Sequence, residues 1–258
     1  MHIYIHKNFK MVSAKSKDPW YKLWFDSPYY HKLYKNRNEK EAERFIDRLV
    51  EYFSPPDDAK ILDAACGQGR HAKYLSAKGY EVTGIDLAAS NIEFAKQFES
   101  ERLKFFKHEL THSFKRLYFN YIFNFFTSFG YYNTEDENIK VLQMFNYDTA
   151  PFGFLMIDFM NTTKAIAELV SSETKKVDDV EFKIERKLSG DTIIKTIEVV
   201  DEKKYSFEER VKALRRADFE RYLKESNYHI KEMFGSYQLE SFNEQDSDRL
   251  IIIAQKLR

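Results

Sequence analysis

The most regular hydrophobic pattern in the chain begins with a short apolar strand around Ile61 and Leu62, then a glycine-bearing turn and a helix from Arg70 to Lys78. Ala72 and Leu75 share one face of that helix, and Lys78-Gly79 supplies its stop signal. Tyr80 to Ile85 alternates about Val82 and Ile85 as a second strand ending on Asp86, reached by a right-handed crossover. Ser90-Asn91-Ile92-Glu93 has capping-box spacing and opens a helix with Ile92, Ala95 and Phe98 facing inward. Leu103 to Leu110 reads as a third strand and Phe119 to Phe126 as a fourth. Thr134 to Glu137 is a second capping box, before a helix with Ile139, Leu142 and Phe145 on one face. Ala150-Pro151-Phe152-Gly153 then turns the chain into a fifth strand, Phe154 to Asp158. Strands alternating with helices predict a parallel α/β sheet.

Other segments flank this series. Glu39 to Phe53 carries Ala42, Phe45, Ile46, Leu49, Val50 and Phe53 at helical spacing, and Ser54-Pro55-Pro56 ends it. Val180 to Val211 alternates strongly about the turn Ser189-Gly190-Asp191, which predicts an antiparallel meander over about 175–212, inserted after the fifth strand. It fits a substrate cover and a stabilising or dimer-forming sheet extension equally well. Phe219, Tyr222 and Leu223 mark a helix that Asn227 caps, with strands at His229 to Tyr237 and Arg249 to Gln255. Before the core, residues 20–38 hold Trp20, Tyr21, Trp24, Phe25, Tyr29, Tyr30 and Tyr34, an aromatic run read as a lid.

Composition bounds the reading. A chain of 258 residues with 43% hydrophobic content buries one good core, read as a single domain over 20–258 with residues 1–19 as a loose arm. Forty-one basic residues balance 41 acidic ones, which weighs against a protein devoted to nucleic acid. The basic run Arg210, Lys212, Arg215 and Arg216 reads as a solvated face. One cysteine excludes an internal disulfide, and nothing resembles a signal peptide or a spanning helix, so the expected setting is cytoplasmic, as a monomer or homodimer without membrane contact.

The chemistry concentrates between Asp63 and Asp86. Gly67-Gln68-Gly69 lets the backbone turn sharply, and the first amides of the following helix point at the ligand space. Asp86 stands at the carboxyl end of its strand, where open α/β sheets bind ligands, and an acid there accepts adenosine ribose hydroxyls. Gly67 to Ala72 also fits the dinucleotide pattern G-x-G-x-x-A. Asp63 separates the two cofactors: a carboxylate at the turn repels a pyrophosphate and favours the ammonium and sulfonium of S-adenosylmethionine.

Asp63 to Gly69, as D-x-x-C-G-x-G, resembles motif I of the class I S-adenosylmethionine-dependent methyltransferases, and Gly84-Ile85-Asp86 resembles their G-x-D motif II, in the type 11/25-like branch. The resemblance implies an α/β, Rossmann-like fold with a mostly parallel central sheet, order 3-2-1-4-5-7-6, and an antiparallel edge strand that dehydrogenases of the NAD type lack. It implies S-adenosylmethionine as cofactor, leaving S-adenosylhomocysteine, and no metal. The expected cofactor contacts are Tyr30, Arg37, Asp63, Ala65, Gly67, Gln68, Gly69, Asp86, Leu87, Glu109, Leu110 and Phe126. Arg37 would meet the cofactor carboxylate and Glu109 the adenine amino group. Two positions depart from the family: Phe152 replaces a glycine before the fifth strand, and Asn120 stands where an acid often precedes the fourth.

Methyl transfer needs alignment and desolvation, and a base only where the acceptor loses a proton. No Asn-Pro-Pro-aromatic run follows the fourth strand, which disfavours exocyclic amines of bases, and Cys66 is tied up in the turn. An oxygen or aliphatic nitrogen of a small molecule remains the favoured acceptor. His31, His108, His112 and His229 are candidate bases, with Tyr131 also a catalytic candidate beside His31. Tyr131, Tyr132, Asp158 and Asn161 are candidates for the acceptor pocket. The alternatives are an RNA or protein methyltransferase, a non-catalytic cofactor-binding partner subunit and, as a minor option, a dehydrogenase.

Overall fold

The computed structural model describes residues 19–35 and 39–257. Its centre is a seven-stranded sheet in which β1 (Lys60–Ala64) lies between β2 (Glu81–Asp86) and β4 (Phe119–Asn124). β3 (Leu103–Lys107) flanks β2, while β5 (Thr149–Met160), β11 (Arg249–Lys256) and β10 (Tyr228–Phe234) follow β4. The pairs from β3 to β5 are parallel, and β11 runs antiparallel to both β5 and β10. Taking β10 and β11 as the sixth and seventh strands, the order is the expected 3-2-1-4-5-7-6.

Alternation along the strands feeds two apolar layers. Leu62, Ile122, Leu155 and Ile252 point to the face covered by α6 (Glu135–Asp148) and α8 (Arg216–Glu225), against Leu142, Phe145, Phe219 and Leu223. Their neighbours Ile61, Phe123, Met156 and Ile253 point to the other face, against Phe45, Ile46 and Leu49 of α3 (Glu39–Phe53) and Leu75 of α4 (Arg70–Ala77). Burying one such side chain contributes about 2 kcal/mol, so the two layers fix the sheet between them.

Several local expectations change. The capping box at Thr134 forms: Glu137 N–H donates to Thr134 Oγ1 at 3.3 Å, and Thr134 N–H donates to Glu137 Oε2 at 3.1 Å. The one at Ser90 does not. α5 (Ala89–Ala95) starts two residues earlier, behind Ala88, whose N–H is taken at 2.8 Å by Asp86 Oδ1. The expected turn at Ala150 to Gly153 lies inside β5, as an irregularity with Phe152 at φ 62°. Gly153 is required there, because a Cβ would sit 2.7 Å from Thr149 Cγ2 and 2.8 Å from the Asn120 carbonyl. Asn120 replaces the family acid with a neutral acceptor, its Oδ1 receiving Lys60 N–H at 2.9 Å and tying β4 to β1. Asn227 adopts the left-handed conformation after α8, as a cap requires.

The insert is a separate antiparallel sheet of four strands, β6 (Ser172–Val177), β7 (Val180–Ser189), β8 (Thr192–Val200) and β9 (Lys204–Lys212). The meander therefore gains a strand, β6, whose Ser-Glu-Thr-Lys-Lys-Val lacks a buried face and is held by pairing with β7. The aromatic run folds as α1 (Trp20–Phe25) and α2 (Pro28–Leu33), which pack on the insert. Trp24 is fully buried among Phe182, Ile184, Ile197, Val199 and Phe207, with Trp20, Phe25, Tyr30 and Leu33 around it. In the basic run, Arg210 pairs with Glu208, Lys212 with Asp191 at 2.9 Å and Arg216 with Glu220 at 2.7 Å. Among the described residues no helix is long and apolar enough to cross a membrane.

Candidate functional site

The carboxyl ends of β1, β2 and β4 open into a cavity of about 770 Å3, roofed by the lid helices and by β9. Its floor is the glycine turn. Ala65, Gly67 and Gly69 have φ of 62°, 55° and 80°, and Cys66 N–H is anchored on the Ile85 carbonyl at 2.9 Å. The two glycines serve different ends. A Cβ on Gly67 would meet nothing within 4 Å, since that backbone faces the cavity, whereas one on Gly69 would lie 2.6 Å from the Phe105 ring. Gly67 keeps the floor bare, and Gly69 lets the turn sit on β3.

Asp86 joins turn and strand. Its Oδ2 accepts Gly67 N–H at 2.8 Å, and its Oδ1 accepts Ala88 N–H at 2.8 Å and Asn91 Nδ2 at 3.4 Å. A carboxylate has about four lone-pair positions, so one stays available to the cavity that Asp86 lines. Desolvation in the wall raises the Asp86 carboxyl above its ordinary value, with the three donors opposing that shift.

Asp63, expected beside the cofactor ammonium, is placed elsewhere. It is buried under the turn and absent from the cavity wall; Oδ2 accepts Ala72 N–H at 3.1 Å, while Oδ1 has no hydrogen-bond partner. Burial pushes its carboxyl up to about 7. The residue braces the start of α4 and acts on the cavity from behind. Cys66 lines the cavity edge, but burial drives its thiol upward, which suits packing and not nucleophilic chemistry.

Of the remaining expected cofactor contacts, Tyr30, Ala65, Gln68, Leu87, Glu109, Leu110 and Phe126 all line the cavity with Gly67 and Asp86. Gly69 lies behind the floor, and Arg37 lies outside the described residues. His31, Tyr131 and Tyr132 line the wall, whereas His108, His112 and His229 do not. His229 is exposed on β10, and His108 ties its Nε2 to the His112 carbonyl at 2.9 Å.

Asp158 and Asn161, expected in the acceptor pocket, are corrected to buried supports. Asn161 donates to the Glu244 and Ser247 carbonyls at 2.9 and 2.7 Å. Asp158 pairs with Arg249 and receives Phe126 N–H at 2.8 Å, while its carbonyl receives Thr127 N–H at 2.8 Å. Phe126 and Thr127 both have positive φ, 57° and 58°, and both line the cavity. A pair of left-handed non-glycine residues persists only where surrounding contacts impose it. Nothing in the local sequence of the loop signals this support.

The roof is aromatic. Trp20 and Phe25 meet Tyr131 with ring centroids 5.2 and 5.3 Å apart, Phe25 meets Tyr30 at 5.0 Å, and Tyr21 meets Tyr132 at 5.7 Å. Burial raises the Tyr21 and Tyr132 phenols, so both stay protonated at neutral pH. Behind the roof, Trp24 Nε1 and Tyr34 Oη donate to Glu209 Oε1 on β9 at 2.5 and 3.0 Å. Glu209 also lines the cavity, though the alternation of β9 alone gave no reason to single it out.

These features fit S-adenosylmethionine. A bare glycine floor, an acid with a spare acceptor position at the end of β2 and aromatic faces suited to a sulfonium share one cavity of ligand size.

A family model described as a methyltransferase domain matches residues 61–146. The ubiquinone biosynthesis O-methyltransferase of Rickettsia felis is 36% identical over 64 residues, which is 25% of this chain and 26% of that protein. Matches to curated relatives span between 18% and 56% of the relatives' own length. Among solved structures, an S-adenosylmethionine-dependent methyltransferase from Clostridium acetobutylicum superposes with a TM-score of 0.76 at 19% identity, covering 88% of this chain and 96% of the other. The sugar N-methyltransferase KedS8 from a Streptoalloteichus species gives 0.70 at 14% identity, covering 89% and 93%. At such identities the likeness establishes the fold.

Proposed function

Residues 61–146 being a methyltransferase domain on a class I fold, we propose that this chain uses S-adenosylmethionine to methylate an oxygen or nitrogen of a small molecule. The observation that carries the small acceptor is the shape and size of the cavity. One partly open cavity of about 770 Å3 runs from Asp86 to Glu209 and Tyr131 beneath the lid and the insert, with mostly apolar walls. The basic side chains Arg210, Lys212 and Arg216 are each committed to an acid, which speaks against an RNA-binding groove. The relatives include an O-methyltransferase of ubiquinone biosynthesis and a sugar N-methyltransferase, and both descriptions accord with a small acceptor.

Bound cofactor supplies a methyl carbon activated by sulfonium. Asp86 would accept from a ribose hydroxyl with its spare lone pair, and Glu109 with Leu110 would hold the adenine. Ala65, Gly67 and Gln68 present backbone to the amino-acid end. Tyr30 and Tyr131, in the cavity wall, would shield the bound methyl from water with faces that attract a soft cation. The acceptor is held in line by the roof and the Phe126-Thr127 loop, so alignment and desolvation carry most of the rate. Transfer of labelled methyl to a metabolite library tests the reading. Label in a small-molecule fraction is expected; label confined to RNA or protein would overturn the small acceptor.

A further inference from the structure

Resting on that methyltransferase reading, we propose that the cavity wall formed by β9 is a subsite for an aliphatic amine, with Glu209 as the residue that binds it.

Glu209 is a carboxylate on the β9 wall of the cavity. Its side chain is 17% exposed, and three donors hold it: Trp24 Nε1 and Tyr34 Oη on Oε1, and Lys195 Nζ at 3.1 Å from Oε2. With about four lone-pair positions on a carboxylate, one on Oε2 remains for a ligand. Lys195 stands directly opposite Glu209 in the β8–β9 register, outside the cavity wall, and its ammonium also binds the Tyr34 hydroxyl. Burial pulls the Lys195 pKa down while its pairing with Glu209 opposes that shift. Lys35, which follows the lid helices and lines the cavity, is committed to Asp178 at 2.5 Å.

Around this carboxylate the wall is aromatic: Trp20, Phe25, Tyr30, Tyr34 and Tyr131. Aromatic faces with one fixed, partly desolvated carboxylate favour a cation over a neutral group. An ammonium gains a charge-assisted hydrogen bond, roughly twice as strong as the neutral one an alcohol would make. The amine binds as an ammonium; one N–H bond breaks as its proton passes to water, which leaves the nitrogen lone pair free to attack while Glu209 holds a remaining N–H. A purely structural Glu209, pinning Trp24 and Tyr34, would show no preference between amine and alcohol.

The test compares cyclohexylamine, N-methylcyclohexylamine and cyclohexanol at about ten millimolar, with saturating S-adenosylhomocysteine, by melting temperature. The amines are expected to add about 2–4 °C and cyclohexanol under about 1 °C. Glu209→Gln keeps an amide oxygen for Trp24 and Tyr34 but should lose the amine shift while retaining that of S-adenosylhomocysteine. If that variant does not fold, Val211→Lys, which puts a cation on the same face of β9, should abolish the amine shift instead. Equal shifts for amine and alcohol, no amine shift, or an amine shift retained in the folded variants overturns the subsite and leaves the cofactor reading standing. No response to S-adenosylhomocysteine overturns the reading beneath it.

Discussion

Arg249 reaches from β11 to Asp158 on β5, with its Nη2 2.6 Å and its Nε 2.7 Å from Asp158 Oδ1. Asp158 is 1% exposed at its side chain and Arg249 17%, so the pair is a buried one. Arg249 also donates to Thr127 Oγ1 at 3.1 Å, and Tyr237 Oη donates to Asp158 Oδ2 at 3.2 Å. The network clamps the left-handed Phe126-Thr127 loop against the end of β5.

Removing one partner strands the other charge. Asp158→Ala should lower stability by about 3–5 kcal/mol, and Arg249→Met by a similar amount. The double variant should cost less than the sum of the two. Urea unfolding of the three variants measures this coupling; simple additivity would show that the pair does not act as a unit.

Asp63 sets a pH dependence. Its folded carboxyl titrates near 7, above the ordinary carboxylate value of an unfolded chain, so between about pH 4 and 7 the folded state holds a proton that the unfolded state has lost. Stability from this group is therefore full below pH 4 and falls as pH rises to 7. Asp63→Asn should flatten that decline, with the largest gain over wild type, on the order of 5 °C, above pH 7. Melting curves from pH 4 to 8 check the slope, and an unchanged slope would contradict the assignment.

The glycine turn separates stability from binding. Gly69→Ala brings a Cβ to 2.6 Å from Phe105, and Gly84→Ala to 2.5 Å, so each should cost about 1–3 kcal/mol. Gly67→Ala meets no atom and pays only the left-handed backbone, about 1–2 kcal/mol, yet its methyl enters the cavity. It should weaken S-adenosylhomocysteine binding at least tenfold, about 1.4 kcal/mol. Calorimetric titration of Gly67→Ala, beside thermal melts of the other two, distinguishes the roles.

Features built from neighbours in sequence were legible. The run from Ile61 to Asp86, the box at Thr134 and the edge pair at β10 and β11 are written in local periodicity and turn chemistry. Features built across the sheet were not. Arg249 and Asp158 are 91 residues apart, and Trp24 and Glu209 are 185 apart. No spacing rule joins them. Asp63 shows a different limit: its presence before the turn was readable, but the direction of its side chain depends on the register of β1, which sends it beneath α4 to Ala72. β6 escaped notice because its stability comes from pairing with β7 and not from a buried face.

We place the site for S-adenosylmethionine at Asp86 and the glycine turn. Its most direct test is the melting temperature with and without one millimolar S-adenosylhomocysteine, in wild type and Asp86→Ala. A rise of about 5 °C in wild type, absent in a folded Asp86→Ala protein, is expected. No rise in wild type, or an equal rise in both, would contradict it.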